Sequence, residues 1–245
     1  MPPGNSYDDP AFFAGYATLP RSIHGLEGAP EWPSLRALLP PLAGLEVLDL
    51  GCGHGWFCRH AAGEGAARVL GVDSSRLMLG RAREATPHPA ISYEQADLEL
   101  ASFAPASFDL AWSSLAFHYV EALEALLARV HAALRPGGAL VFSVEHPVYS
   151  APSRPGWTRS ADGALAWPVD GYLREGPREV EWLGARVSKR HRLASTTLNA
   201  VLRAGFALTH VEEWRPSDAQ VAARPSLAVE LERPMFMLVA ARRPS

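Results

Sequence analysis

The stretch LEVLDLGCGHG, from Leu45 to Gly55, restricts the fold more than any other part of this chain. Residues 45–50 form a short, mostly apolar run that stops at Gly51, the pattern of a strand buried on both faces of a parallel sheet. Closely spaced glycines follow. Residues 56–62 then read as a helix and residues 68–73 (RVLGVD) as a second buried strand, which makes a βαβ unit.

The alternation continues downstream, with a helix over 76–84, strands over 91–95 and 108–113, a helix over 121–134 and a strand over 139–145. Such regular alternation implies an α/β fold with a doubly wound, mostly parallel sheet and right-handed crossovers. The sequence Arg135-Pro136-Gly137-Gly138 punctuates the third of these helix-to-strand passages, because glycine caps a helix and proline cannot extend one. From Pro147 the periodicity dissolves into Pro, Gly and aromatic residues, among them Trp157, Trp167 and Tyr172. An irregular segment of that length in a compact domain is usually a lid or binding loop. A hairpin turning at Gly184 is expected over 179–190, a helix over 195–204 capped by Gly205, and closing strands over 206–214 and 235–240.

Composition narrows the partners. With 23 basic and 26 acidic residues, the formal charge of −3 leaves no excess to neutralise a phosphate backbone, so nucleic acid is a poor first guess. The two cysteines, Cys52 and Cys58, are too few and too close to staple a secreted domain. The first ten residues are polar and Pro/Gly-bearing, and no apolar run of roughly 18 residues occurs. A reduced, cytoplasmic setting without membrane anchoring is expected.

The glycine turn itself points to chemistry. A strand that ends in glycines and leads into a helix lets backbone approach a ligand, with helix N–H groups facing its anionic end. The spacing Gly51-x-Gly53-x-Gly55 differs from the G-x-G-x-x-G of a dinucleotide site, and no Walker lysine follows. A nicotinamide-dependent oxidoreductase is therefore disfavoured.

VLDLGCGHG resembles the first motif of class I S-adenosylmethionine (SAM)-dependent methyltransferases, whose Rossmann-like sheet has seven strands. The resemblance implies SAM as cofactor, with Asp49 and the glycines in the turn and Asp73 taking both ribose hydroxyls. A carboxylate suits a diol because it offers only acceptors; the alternative is a plain cap of the next helix, starting at Ser74 or Ser75. Met78 matches a position packing near adenine, or is simply core. Asp97 matches the acceptor of the adenine amino group, with Leu98 adding its N–H, or is an N-cap. The end of FDLAWSSLAFHYV, including Ser113 and Ser114, resembles the motif lying between cofactor and methyl acceptor. The N/D-P-P-Y/F sequence of enzymes that methylate DNA bases or protein amides is absent, and LRPGG before ALVFSVEHP is similar to the small-molecule branch often labelled type 11.

The whole chain, 1–245, then reads as one domain: 1–40 a cover over cofactor and substrate, 41–146 the SAM-binding core, 147–192 an inserted lid, and 193–245 a closing helix and strands. Tyr7, Tyr16 and Arg21 fall in the cover, where Arg21 would hold the methionine carboxylate or else be a solvated surface arginine. His118 and His146 follow strand ends and are the candidate catalytic bases, or bond to substrate or backbone without moving a proton. The cluster Lys189-Arg190-His191-Arg192 would meet an acidic acceptor or be wet surface. The function expected is methyl transfer to O or N of a small molecule by a monomer or homodimer without a metal ion. Alternatives are a macromolecular acceptor, such as RNA or protein, and SAM binding without turnover.

Overall fold

The computed structural model describes residues 5–85 and 87–245; the first four residues of the expected cover lie outside them. The apolar runs become β1 (Glu46–Leu50), β2 (Arg68–Asp73), β3 (Ile91–Gln95), β4 (Phe108–Ser114) and β5 (Leu134–Glu145). Four short strands follow in the irregular segment: β6 (Thr158–Arg159), β7 (Leu165–Ala166), β8 (Gly176–Trp182) and β9 (Ala185–His191). The chain closes with β10 (Ala207–Glu213) and β11 (Phe236–Arg242).

Seven of these form one sheet in the order β10-β11-β5-β4-β1-β2-β3. The pairs β1–β2, β2–β3, β1–β4 and β4–β5 are parallel, while β11 runs antiparallel to both β5 and β10. Strand order reverses between β1 and β4, so the crevice for a ligand opens beyond their carboxyl ends.

Both faces of the sheet are covered, which explains the continuous apolar runs. Leu48, Leu50 and Phe142 pack on one face with the helices Leu123–Ala133 and Ala194–Arg203. Val47, Val69, Leu110 and Trp112 pack on the other with the helices Trp32–Ala37 and Trp56–Gly63. There Trp112 stacks on Phe57 at 4.1 Å between ring centroids, with Trp32 edge-on at 6.0 Å. Burying each such side chain contributes about 1.5–3 kcal/mol.

Two boundaries differ from expectation. The helix before β5 ends at Ala133, and extended backbone begins at Leu134. The reason is pairing: Leu134 is the register partner of Phe108, and the Gly137 N–H and Gly138 carbonyl bond to Arg243 after β11, each at 2.9 Å. The same helix starts at Leu123, because the Glu99 carboxylate accepts the N–H groups of Glu121 and Ala122 just before it.

Hairpin β8–β9 turns at Leu183-Gly184, both with positive φ (52° and 77°), the backbone of a two-residue hairpin loop. No helix among the described residues is long and apolar enough to cross a membrane.

Candidate active site

The end of β1 builds the floor of the site. Gly51, Gly53 and Gly55 all have positive φ, at 77°, 51° and 71°, and two of them are pinned by a close approach. A Cβ on Gly51 would lie 2.3 Å from the Ala116 Cβ, and one on Gly55 would lie 2.3 Å from the Tyr93 hydroxyl. A Cβ on Gly53 would meet nothing within 4 Å, so this peptide is bare to the cavity it lines. The turn is held from β2: the Gly53 N–H donates to Asp73 Oδ2 at 2.8 Å, and the Ser75 N–H donates to Oδ1 at 2.8 Å. Burial pushes the Asp73 carboxyl above the usual range, opposed by these bonds. Two of roughly four lone-pair sites on this carboxylate remain for a ligand.

One cavity of about 1000 Å³ runs from this floor to the β8–β9 hairpin. Gly51, Gly53, Asp73, Ser74, Met78, Asp97 and Leu98 line it, and Tyr16, Arg21 and His118 also face it. The remaining proposed residues lie elsewhere. Asp49 is buried below the floor, where its Oδ2 accepts from the Cys58 thiol at 3.1 Å. Ser113 is fully buried and donates its hydroxyl to the Leu50 carbonyl at 2.8 Å, tying β4 to β1. Gly55 precedes the helix Trp56–Gly63 as its N-cap, outside the lining.

His146, expected as a base facing the reacting group, caps the short helix Pro147–Ser150 and is not among the residues lining the cavity. Its Nδ1 accepts the Val148 N–H at 3.1 Å and its Nε2 meets Glu213 Oε1 at 3.0 Å, so neither nitrogen is free. His146→Ala should therefore lower stability by about 1–3 kcal/mol while leaving cofactor affinity nearly unchanged. Urea unfolding beside calorimetry separates the two; full stability with lost binding would return His146 to the site.

His118 lines the cavity with a defined hydrogen-bonding role. The Glu145 N–H approaches its Nδ1 at 3.4 Å, which leaves Nε2 as the protonated nitrogen of the neutral ring. Burial pushes the imidazole down to about 4, so the ring is neutral at pH 7.

Several cavity residues carry no motif, and their partners become visible only in three dimensions. Tyr7 and Tyr119 share a 2.9 Å hydrogen bond between hydroxyls, and burial raises both phenols. Trp182, near the hairpin tip, packs on Phe12 and Tyr16 at 5.4 and 5.9 Å, joining the helix Pro10–Tyr16 to the β8–β9 hairpin. Lys189 and Glu145 form a largely buried ion pair in the wall. The rest of the basic cluster disperses: Arg190 pairs with Glu121, Arg192 bonds carbonyls of residues 117, 120 and 121, and His191 is wholly buried. Arg21, although it faces the cavity, is also bonded to the buried Glu31 at 2.9 Å. Leu115 has φ of 54°, a strained conformation for leucine at the strand end that faces the ligand crevice, and composition gives no hint of it.

Residues 48–142 match the family model described as a methyltransferase domain. The fold closely follows a crystal structure of an S-adenosylmethionine-dependent methyltransferase from Mesorhizobium loti, with a TM-score of 0.87 and 59% identity over 89% of this chain and 100% of that one. The chain is 41% identical over 102 residues to a malonyl-[acyl-carrier protein] O-methyltransferase from Erwinia billingiae. It is 38% identical over 128 residues to a trans-aconitate 2-methyltransferase from Deinococcus radiodurans. These two matches span 41% and 51% of this chain, and 39% and 48% of those proteins.

Proposed function

Because this chain belongs to the S-adenosylmethionine-dependent methyltransferases, we propose that it methylates O or N of a small-molecule acceptor held beneath the inserted segment 147–192. The carrying observation is the single continuous cavity, whose volume of about 1000 Å³ exceeds the space one nucleoside needs and reaches from Gly53 to the hairpin. Its residues fit the cofactor: Gly53 leaves backbone bare, Asp73 keeps lone pairs for a diol, and Asp97 and Leu98 line the same cavity with an acceptor and a backbone N–H for an adenine. When bound, SAM supplies a sulfonium methyl for in-line displacement.

This chain's own residues then position the acceptor and keep out water, and alignment of that kind accounts for much of the rate. His118 is poised to donate a hydrogen bond, not to remove a proton, because its lone pair meets the Glu145 N–H. An acceptor that arrives already deprotonated, such as a carboxylate, suits this arrangement, and the names of the two curated relatives above agree with it. The segment 147–192 acts as lid. Arg233 anchors it, lying 4.6, 5.1 and 4.3 Å from the ring centres of Tyr149, Trp157 and Trp167 while paired to Glu230 at 2.8 Å.

Calorimetry should show one SAM and one S-adenosylhomocysteine site per chain and no heat with NAD. Transfer from methyl-labelled SAM into a panel of small carboxylic acids, phenols and amines then identifies the acceptor class. NAD binding without SAM binding would sink the cofactor reading, and label found only in protein or RNA would move the acceptor to a macromolecule.

A further inference from the structure

Beside the acceptor end of the cavity, a serine and a histidine fix one another's protons. Ser150, on the short helix Pro147–Ser150, lines the cavity, and its hydroxyl lies 2.9 Å from His191 Nδ1. The other ring nitrogen, His191 Nε2, lies 2.8 Å from the carbonyl oxygen of Tyr172. A carbonyl only accepts, so Nε2 must carry the proton. In the neutral ring Nδ1 is then a bare acceptor, and the Ser150 hydroxyl has to donate to it. His191 has no exposed surface, and burial holds its imidazole below the usual range, which keeps the ring neutral at working pH.

We propose that Ser150 is a specificity-determining residue that presents only lone pairs to the cavity, so that the methyl acceptor must offer a hydroxyl, amine or ammonium hydrogen there. The proposal rests on the reading of this cavity as the acceptor site. Serine is normally indifferent, since its hydroxyl rotates to donate or accept as the ligand requires. Here His191 removes that freedom by claiming the proton, and the Tyr172 carbonyl fixes His191 in turn. A ligand group with only lone pairs, such as an ether oxygen, would face another lone pair and leave both unsatisfied, the arrangement that costs most in a site away from water. His191 is thus a positioning residue that acts through Ser150. Nearby, Trp167 and Tyr149 stack at 5.6 Å with planes 8° apart, and both line the cavity, so a flat acceptor fits beside this hydroxyl.

Two measurements test this, and the first does not depend on any methyltransferase activity. In protein labelled with ¹⁵N-histidine, His191 should be the Nε2–H tautomer across pH 6–8, with its Nδ1 resonance moving to the free lone-pair position in Ser150→Ala. A proton on Nδ1 overturns the proposal even if the protein proves to be a methyltransferase. The second measures dissociation constants, with S-adenosylhomocysteine saturating, for two pairs of probes: 4-hydroxybenzoate against 4-methoxybenzoate, and tyramine against its O-methyl ether. Wild type should favour the donor-bearing member of at least one pair by about tenfold. That preference should vanish in Ser150→Ala, persist in Ser150→Thr and relax in His191→Phe, where the serine proton becomes free to turn. A wild type that discriminates neither pair, or a Ser150→Ala protein that keeps the preference, overturns the proposal, whereas a failure to methylate any acceptor would count only against the broader functional reading.

Discussion

Replacing Asp73 with alanine should weaken SAM binding about 30- to 1000-fold, a loss of about 2–4 kcal/mol, in a protein that still folds. Two effects combine. The carboxylate offers its unused lone pairs to a ribose diol, and hydrogen bonds to a charged group contribute about 1.5–3 kcal/mol each. The same carboxylate also accepts from the Gly53 and Ser75 N–H groups, so its removal frees the turn that approaches the ligand. Asp73→Asn separates the two contributions, since its single amide oxygen can keep only part of this arrangement. Calorimetry gives the affinities, and a thermal melt checks the fold. A folded Asp73→Ala protein with wild-type affinity would place the ribose elsewhere in the cavity.

The residues that were legible in advance are those whose role is local in sequence. LEVLDLGCGHG, RVLGVD and ALVFSVE combine apolar runs with turn residues, and each became the strand expected within a few residues, because a strand buried on both faces tolerates little else. Gly51, Gly53 and Asp73 reach the cavity for a similarly local reason: a strand end, a turn and a helix start fix where they point. The acceptor side obeys no local rule. His118 and His146 both follow strand ends, yet one lines the cavity and the other is consumed by Val148 and Glu213. The cap on Val148 is local, but the second partner, Glu213 at the end of β10, stands 67 residues downstream of His146. Lys189 and Arg190 are adjacent in a strand and face opposite ways, so these two charges do not act as one patch. The Ser150–His191–Tyr172 relay joins a helix, a strand and a loop and leaves no motif. Asp49 marks the opposite kind of difference: the motif is present, but its carboxylate points into the layer beneath the turn.

That buried carboxylate should make the protein's stability depend on pH in an unusual direction. Asp49 is 2% exposed, and the side chain that bonds it is a weak donor, the Cys58 thiol at 3.1 Å. Burial pushes its carboxyl from 3.8 up to about 7; the Cys58 bond opposes this and the nearby Asp73 adds to it. With the folded value raised above the unfolded one, the native state keeps a proton between these pH values that the unfolded chain has released. The contribution to stability is fully present below about pH 4 and is lost as pH rises through about 7. The window spans about three pH units, and at about 1.4 kcal/mol per unit the loss is about 4 kcal/mol. Asp49→Asn keeps the size and an oxygen for the thiol but does not titrate. The amide brings its own unpaired donors, so the absolute stabilities of the two proteins carry little meaning; the change in their difference with pH isolates the carboxyl. Relative to wild type, the asparagine protein should gain about 4 kcal/mol in unfolding free energy between pH 4 and pH 8, read from urea titrations without cofactor. A difference that stays flat across that range would mean that Asp49 ionises at no cost and that the layer under the glycine turn is wetter than its packing implies. SAM affinity of the same variant should fall far less than that of Asp73→Ala, because Asp49 supports the floor of the site from below and does not face the cavity.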